Sequence, residues 1–288
     1  MTAGIAIGRE RLGVACLAAA AGGWRVQASA EARLDEPLFS GAPSPQAAAS
    51  LAAALGSVAG NLARRYLPVH VSLPDAAVLW GTFELDQMPK TRAAQLDLVR
   101  LRFGRQGLNG AQRYACQPME DEAGRPLLLG MAADEGWQVL LIEALDRAGI
   151  VAWSMSAHAS RLFNCFQERF AQASGGLVAL APDGWSLWLW DSRGCPRYAR
   201  SRWRIAAEDH GEIALEVERS ILAYVHGDPR RSVTRLFVAG GGETRKLADA
   251  LDARLHEPCA RLSAEDLGVA PFPGSLDALP CLAAALQR

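Results

Sequence analysis

Lysine is nearly missing from this sequence of 288 residues, since its 30 basic residues include only Lys90 and Lys246. We attribute the preference for arginine to codon bias rather than to a functional need for guanidinium groups. Acidic residues number 31, so the formal net charge is −1. A chain this close to neutrality has no overall field that attracts nucleic acid or an anionic membrane. We therefore expect no nucleic-acid partner.

Signatures of metal sites, disulfides and membrane segments are also missing. The six cysteines form no C-x-x-C pair and the five histidines no H-x-x-x-H pair, so the sequence predicts reduced thiols, a cytoplasmic location and no zinc site. No run of about 18 apolar residues could span a bilayer. Residues 12–21 imitate a signal peptide, but residues 4–8 already have the pattern of a strand, so we do not expect one.

Glycine, by contrast, is concentrated at one informative place. Residues 233–239 form an apolar strand that runs directly into Gly240, Gly241 and Gly242. A helix follows, with Leu247 and Leu251 one turn apart. Glycine lets a backbone turn sharply and approach a flat ligand closely, so the loop is a candidate binding site. The structural alternative is a helix that packs closely on its strand, which needs glycine equally.

The N-terminal part predicts three short strands and then a helix. The strands are expected at residues 4–8, 12–19 and 24–30. After a loop rich in Pro, Gly and Ser at residues 36–45, apolar residues recur with helical spacing. They are Leu51, Leu55, Val58, Leu62 and Tyr66.

A second unit is expected to begin at residue 69. It contains strands at 78–85 and 127–132, a hairpin tip at 120–125 and two helices. The apolar faces of these helices are Leu96, Val99 and Phe103, then Leu141, Leu145 and Ala148, with Gly149 as the C-terminal cap.

The C-terminal part repeats the first pattern of strands followed by a helix. One helix carrying Leu162, Phe166 and Phe170 is expected to precede it. Strands are predicted at 177–181, 185–190 and 198–205, and a helix with Ile213, Val217 and Ile221 on one face. We interpret Trp185, Trp188 and Trp190 as core. Arg200, Arg202 and Arg204 alternate along a strand and are read as a solvated face rather than as a site for an anionic partner.

Several short motifs together resemble one protein family. They are the hairpin Gly4-Ile5-Ala6-Ile7-Gly8, the segment Val69-His70-Val71-Ser72-Leu73-Pro74, the sequence ALDRAGI at 144–150, Glu218-Arg219-Ser220-Ile221, the three glycines and the tail at 279–288. This set resembles the type IV pilus assembly protein PilM and its MSHA-pilus and competence relatives, which are bacterial proteins with the fold of actin and FtsA. Each motif is short, but together they cover the chain from end to end.

The resemblance implies an α/β fold of the actin/FtsA type. Its two lobes are duplicated βββαβα units of the ribonuclease H-like kind, with an inserted subdomain called 1C. The expected division is residues 1–68 and 134–160 for the first lobe (1A), 69–133 for the 1C-type insertion and 161–288 for the second lobe.

The nucleotide site that the resemblance implies is degenerate. In active relatives two hairpin loops carry D-x-G, in which glycine lets N–H groups approach phosphate and aspartate orients Mg²⁺. Here Ala6 stands at the first aspartate position and Ala181 at the second. Asp183 lies two residues further on, although Asp183-Gly184 between two apolar strands is also the signal for a type I′ hairpin.

We therefore predict a chain that does not hydrolyse ATP, needs no cofactor or metal and binds ATP or ADP weakly at most. The residues that would contact a nucleotide are Ile7, Gly8, Asp183, Gly184, Gly240, Gly241, Gly242 and Glu243. No catalytic residue is assigned.

The resemblance also implies a partner. We expect a structural component of a type IV or MSHA-like pilus platform that docks the cytoplasmic tail of a PilN-like single-pass inner-membrane protein and meets other platform or motor proteins. The groove for that tail is expected between lobe 1A and subdomain 1C. Two alternatives stay open: an active ATPase or kinase of the actin fold, and a type II secretion component of the GspL kind. The GspL kind continues into a transmembrane helix, whereas we expect this chain to end at residue 288.

Overall fold

The computed structural model describes residues 1–59, 68–106, 111–171, 173–204, 209–241, 243–270 and 279–286. This part of the chain is a mixed α/β structure with three sheets. Its strands are β1 (Thr2–Ile7), β2 (Arg11–Ala20), β3 (Gly23–Arg33), β4 (Val69–Leu73), β5 (Val78–Glu84), β6 (Gln112–Glu120), β7 (Pro126–Asp134), β8 (Ala152–Ala157), β9 (Gly175–Ala181), β10 (Gly184–Trp190), β11 (Pro196–Trp203), β12 (Leu236–Gly240) and β13 (Cys259–Arg261). Its α-helices are α1 (Pro45–Ala59), α2 (Arg92–Gly104), α3 (Glu135–Arg147), α4 (His158–Cys165), α5 (Gln167–Phe170), α6 (His210–His226), α7 (Thr244–Asp252) and α8 (Leu279–Ala285).

The first sheet has the order β3-β2-β1-β4-β8. Strands β1 to β3 form an antiparallel meander, while β4 and β8 add parallel strands. The helices α1 and α3 cover one face, where Leu51, Leu55, Leu141 and Leu145 are buried against β1 and β4. The predicted helical spacing of Leu51 and Leu55 is thus confirmed, whereas Leu62 and Tyr66 lie outside the described residues.

The second sheet repeats this order as β11-β10-β9-β12-β13. Helices α6 and α7 cover its outer face, and the predicted face of Ile213, Val217 and Ile221 is buried there. On its inner face α4 and α5 pack against Trp188 and Trp190. All three tryptophans of β10 are at most 2% exposed, as the sequence predicted.

The third sheet is a separate β5-β7-β6 unit, covered on one face by α2. It lies between β4 and α3 in the chain. Contrary to the sequence analysis, β4 does not open this unit. All five residues of β4 are buried and the strand pairs with β1 and β8, as expected for a central strand that is covered on both faces.

Helix α8 returns to the first sheet and packs on β1 at very short range. A Cβ atom on Gly4 would lie 2.0 Å from the carbonyl oxygen of Cys281 and 2.6 Å from the amide nitrogen of Ala285. Leu279 and Ala283 of the same helix contact the core of the second sheet. The small residues of α8 therefore let one helix pack between the two lobes.

The C-terminal end of α3 has the cap that the sequence predicts. Gly149, with φ 69°, follows α3, and the N–H of Ile150 bonds to the carbonyl of Leu145 at 2.9 Å. This is the capping motif that the glycine predicted.

The single helix expected to carry Leu162, Phe166 and Phe170 is instead two helices. Phe166, with φ −105° and ψ 9°, interrupts it.

Candidate functional site

The first hairpin loop lies between β1 and β2 at the edge of a cleft between the two lobes. Its turn is closed by a hydrogen bond from the N–H of Gly8 to the carbonyl of Arg11, at 2.8 Å. Ala6 and Gly8 line the cleft, whereas Ile7 points into the core of the first lobe. The methyl side chain of Ala6 offers no oxygen to this wall of the cleft.

The second hairpin loop differs from the sequence prediction. Ala181 pairs directly with Gly184, so the turn residues are Pro182 and Asp183. A type I′ turn needs a positive φ at both central residues, which the ring of Pro182 forbids, and neither Asp183 nor Gly184 has a positive φ. Gly184 begins β10, and glycine is needed because a Cβ there would lie 2.7 Å from the carbonyl oxygen of Arg202.

Asp183 joins the two loops. Its Oδ2 accepts a hydrogen bond from the backbone N–H of Arg9, and its backbone carbonyl accepts one from the N–H of Arg204 at 2.8 Å. Its other oxygen, Oδ1, is buried without a hydrogen-bond partner among the described residues. Burial raises the pKa of Asp183 above its ordinary value, while the N–H and the guanidinium of Arg9 oppose that rise.

The glycine loop forms the third side of the cleft. Gly240 has φ 137°, and a Cβ there would lie 1.9 Å from the carbonyl oxygen of Leu180. Close packing of β12 on β9 therefore suffices to explain this glycine. Gly241 is buried, and Gly242 lies outside the described residues. Glu243 forms ion pairs with Arg204 at 2.9 Å and Lys246 at 3.8 Å, which hold its pKa below the usual range.

The cleft between these loops has a volume of about 510 Å³. Of the predicted site residues, Gly8, Asp183 and Glu243 line it, and Gly241 lines an adjoining space of about 340 Å³. Ile7, Gly184 and Gly240 are instead placed in the sheets by packing. The structure thus brings together half of the predicted residues.

The donor set at the cleft does not suit a Mg²⁺–nucleotide. Ala6 offers no ligand, and one oxygen of Asp183 is engaged by Arg9. Across the described residues, no three His, Cys, Asp or Glu side chains lie close enough together to hold a metal ion. Mg²⁺ prefers several oxygen ligands.

A buried polar cluster beneath the cleft escaped the sequence analysis. Asp75 accepts hydrogen bonds from the N–H of Ala159 at 2.8 Å and from Oγ of Ser186 at 2.9 Å, so it joins α4 to the second sheet. Burial raises the pKa of Asp75 to about 7, with the charge of Asp183 adding to the rise. The only signal in the sequence was an acid directly after a buried strand and a proline.

His158 belongs to the same cluster. Its Nδ1 lies 2.6 Å from Oγ of Ser72, and the residue lines the cleft. Burial lowers the pKa of His158 to about 3, so the imidazole is neutral near pH 7.

The arginines of β11 are not a bare solvated face. Arg200 and Arg202 lie against α6 and pair with Glu216 at 2.8 and 3.3 Å. Arg200 also donates to Oγ of Ser220 at 2.9 Å. Their side chains are 36% and 40% exposed, and both guanidinium groups are paired within the second lobe.

A separate apolar groove lies between the first sheet and the three-stranded sheet. It has a volume of about 210 Å³. Its apolar lining residues are Phe39, Leu73, Ala77, Val78, Tyr114, Ala115, Met131, Ala133, Trp137, Leu141 and Met155. We call this the apolar groove. Trp137 is fixed by a hydrogen bond from its Nε1 to the carbonyl of Gly41 at 3.0 Å and by contact with Phe39 at 5.0 Å between ring centroids.

A second cleft continues from the apolar groove. It has a volume of about 400 Å³ and shares Ala115, Met131 and Ser156 with the groove. Its far wall belongs to the second lobe, where Trp188 contacts Trp80 of β5 at 4.6 Å between centroids. The depressions are therefore adjacent along β6.

The three-stranded sheet is fastened to the second lobe by charge. Asp121, at the β6–β7 hairpin tip, is 1% exposed and pairs with Arg197 at 3.2 Å and Arg125 at 2.7 Å. Arg197 also reaches Glu84 of β5 at 2.5 Å. Ion pairs and hydrogen bonds to arginine lower the pKa of Asp121 to about 2 despite its burial.

Comparison with known proteins identifies the fold. No protein-family model and no curated protein sequence matches this chain. A chain of a PilM–PilN type IV pilus biogenesis complex matches with a TM-score of 0.77 over 99% of this chain and 97% of that chain, at 17% identity. The cytoplasmic domain of EpsL, an inner-membrane component of the type II secretion system of Vibrio cholerae, gives 0.54 over 99% and 95%, at 11% identity.

A third similar structure is described as having an actin-like ATPase fold. A Bacteroides thetaiotaomicron protein of unknown function with an actin-like ATPase fold gives a TM-score of 0.56 over 91% of this chain and 90% of that chain, at 10% identity. The predicted actin-like α/β fold is thereby confirmed. None of the helices in the described ranges is long and apolar enough to cross a bilayer.

Proposed function

We propose that this chain is a cytoplasmic scaffold of a type IV pilus or related secretion platform. It holds the N-terminal cytoplasmic tail of a PilN-like single-pass inner-membrane protein, and through that partner it is peripheral to the inner membrane. The observation that carries the proposal is the match in shape, over 99% of this chain, to a chain of a PilM–PilN complex. The apolar groove gives the proposal a specific site.

The walls of the apolar groove suit an apolar segment of a partner. Met131, Ala133 and Met155 are only half-buried there, and both methionines can repack around differently shaped side chains. Its charged lining residues, Arg113 and Asp134, have opposite signs. A tail that buries apolar anchors between the two sheets would cover this surface.

An edge strand beside the groove offers hydrogen bonds. In the β5-β7-β6 sheet, β6 pairs with β7 on one side, and its other edge is free of any described strand. Bonds from the N–H of Glu135 to the carbonyl of Ala111 and from the N–H of Asp121 to the carbonyl of Arg125 show that odd-numbered residues of β6 bond to β7. The even-numbered Gln112 and Tyr114 therefore turn their backbone groups to the free edge.

An extended tail could add to β6 as a further strand and place alternate side chains in the apolar groove. The tail must become ordered on binding, so we expect micromolar affinity, about −8 kcal/mol. This mode needs no nucleotide. It agrees with our prediction that the chain hydrolyses no ATP, which rests on Ala6 and on the displaced position of Asp183. The hydrogen bond from Arg9 to Asp183 supports that prediction.

The test is calorimetry with a synthetic peptide from the cytoplasmic N-terminus of a PilN-like single-pass membrane protein of the same genome. Wild type should bind it with a micromolar Kd. Ala115→Arg should abolish the heat because the guanidinium fills the groove. Ala111→Arg, the same change at an exposed position directly before β6, should bind normally. No heat with folded wild type at about 100 μM peptide would contradict the scaffold function.

The similarity to the EpsL cytoplasmic domain favours a type II secretion component as the second candidate. The same titration separates the two, since the tail of a secretion-system membrane protein would then be the tighter ligand. An active ATPase is the third candidate. Turnover above background that Asp183→Ala abolishes would establish it and contradict the scaffold.

A further inference from the structure

Asp183 makes the direct hydrogen bond between the two hairpin loops of the cleft. It belongs to the second lobe, and the N–H that it accepts, on Arg9, belongs to the first lobe. Gly8 eases the approach, since a Cβ there would make a tight contact of 3.1 Å with the same Asp183 oxygen. Residues 174 positions apart in the chain thus meet through a carboxylate and a backbone amide.

We infer that the carboxylate of Asp183 is a built-in anion that fills an oxyanion-binding position of the cleft and ties the two lobes together without a ligand. Backbone N–H groups at the turn of a loop are donors with which proteins hold phosphate, and the N–H of Arg9 is such a donor at the wall of the cleft. A carboxylate carries the same sign of charge and accepts the same hydrogen bond. It therefore satisfies the hydrogen-bond donor of the loop, the N–H of Arg9, as an oxyanion from solution would.

The surroundings of Asp183 favour this role. The bond from the N–H of Arg204 to its carbonyl holds the turn in place. The guanidinium of Arg9 contributes a favourable positive charge, and Glu10 an unfavourable negative one. Ala6, on the same wall, adds no second carboxylate that would repel the first.

Access to the position is not blocked. The cleft of about 510 Å³ lies directly beside Gly8 and Asp183. An oxyanion could reach the N–H of Arg9, but it must first displace the internal carboxylate. Wild type should therefore bind simple oxyanions poorly, and removal of the carboxylate should unmask the position.

The experiment compares wild type with Asp183→Ala and Asp183→Asn, and uses inorganic phosphate as the probe in the presence of EDTA. Hydrogen exchange should show the Arg9 amide protected in wild type and at least tenfold faster in Asp183→Ala. Phosphate should raise the melting temperature of Asp183→Ala and slow this amide again, with little effect on wild type. Asp183→Asn, which keeps the shape and one acceptor oxygen, should fall between them.

A matched control is Asp134→Ala. Asp134 accepts the N–H of Trp137 at 2.9 Å at the start of α3, so its removal also frees one backbone amide, but away from the cleft. It should leave the Arg9 amide protected and create no response to phosphate.

Equal protection of the Arg9 amide in wild type and Asp183→Ala would overturn the tie between the lobes. Faster exchange without any response to phosphate would overturn the oxyanion position. If Asp183→Ala does not fold, the same two readouts on Asp183→Asn decide, because that variant preserves the packing of the turn.

Discussion

The interlobe cleft and the apolar groove differ in what fills them. In the cleft, polar groups of the chain bind one another. Asp183 accepts a hydrogen bond from the N–H of Arg9, and Glu243 forms an ion pair with Arg204. In the apolar groove Met131 and Met155 are only half-buried among the described residues. Our proposal gives the two sites different roles: the cleft holds the two lobes together, and the apolar groove binds the partner.

The first prediction concerns the helix that packs between the two lobes. Gly4→Ala should lower the free energy of unfolding by about 4 kcal/mol or more, because the added Cβ would overlap the backbone of α8. Urea denaturation measures it. Gly41→Ala, at a glycine with no atoms within 4 Å of its would-be Cβ, should change stability little. Equal curves for both variants would show that α8 does not pack as described.

The second prediction sharpens the interpretation of the glycine loop. Gly240→Ala should destabilise the chain by about 3 kcal/mol in the absence of any ligand, because of its φ of 137° and the carbonyl of Leu180. Thermal and urea unfolding report it. A variant that unfolds like wild type but loses a bound nucleotide would give this glycine a ligand-binding role instead.

Local rules predicted much of the fold. The strand–glycine–helix pattern at Gly240, the buried faces of Leu51 and Leu55 and the cap at Gly149 depend on neighbours within a few residues. The two-lobed actin-like fold came from the resemblance, and the solved structures confirm that fold. The predicted start of the inserted unit at residue 69 was wrong, because the sequence of a strand buried on both faces does not show which sheet the strand joins.

The site was harder to predict because its contacts are distant in sequence. Arg9 and Asp183, or Asp75 and Ser186, meet only after both lobes have formed. The dipeptide Asp183-Gly184 suggested a turn by itself, but Pro182 moved the turn by one residue. The groove is shared by two sheets, so no single stretch of sequence shows it.

The third prediction tests the buried cluster beneath the cleft through pH. Between about pH 4 and 7 folded Asp75 keeps a proton that the unfolded chain has lost, so its contribution to stability falls as pH rises. Between about pH 3 and 6.5 the unfolded chain holds a proton on His158 that the folded state lacks, so that contribution rises with pH. The two slopes oppose each other in wild type.

Single variants should separate the slopes. Relative to wild type, the free energy of unfolding of Asp75→Asn should rise by roughly 2–3 kcal/mol from pH 4 to pH 6.5. That of His158→Asn should fall by a similar amount up to pH 7. Urea titrations at each pH measure both, and variant curves parallel to wild type would show that neither group titrates abnormally.

The most direct test of the contrast between cleft and groove is one peptide titration on three proteins. Our account predicts that Asp183→Ala, which alters the interlobe cleft, binds the tail peptide within about threefold of wild type. Ala115→Arg, which alters the apolar groove and the second cleft that continues from it, should lose at least about thirtyfold in affinity. Loss of binding in Asp183→Ala with full binding in Ala115→Arg would contradict it, because the partner would then occupy the interlobe cleft.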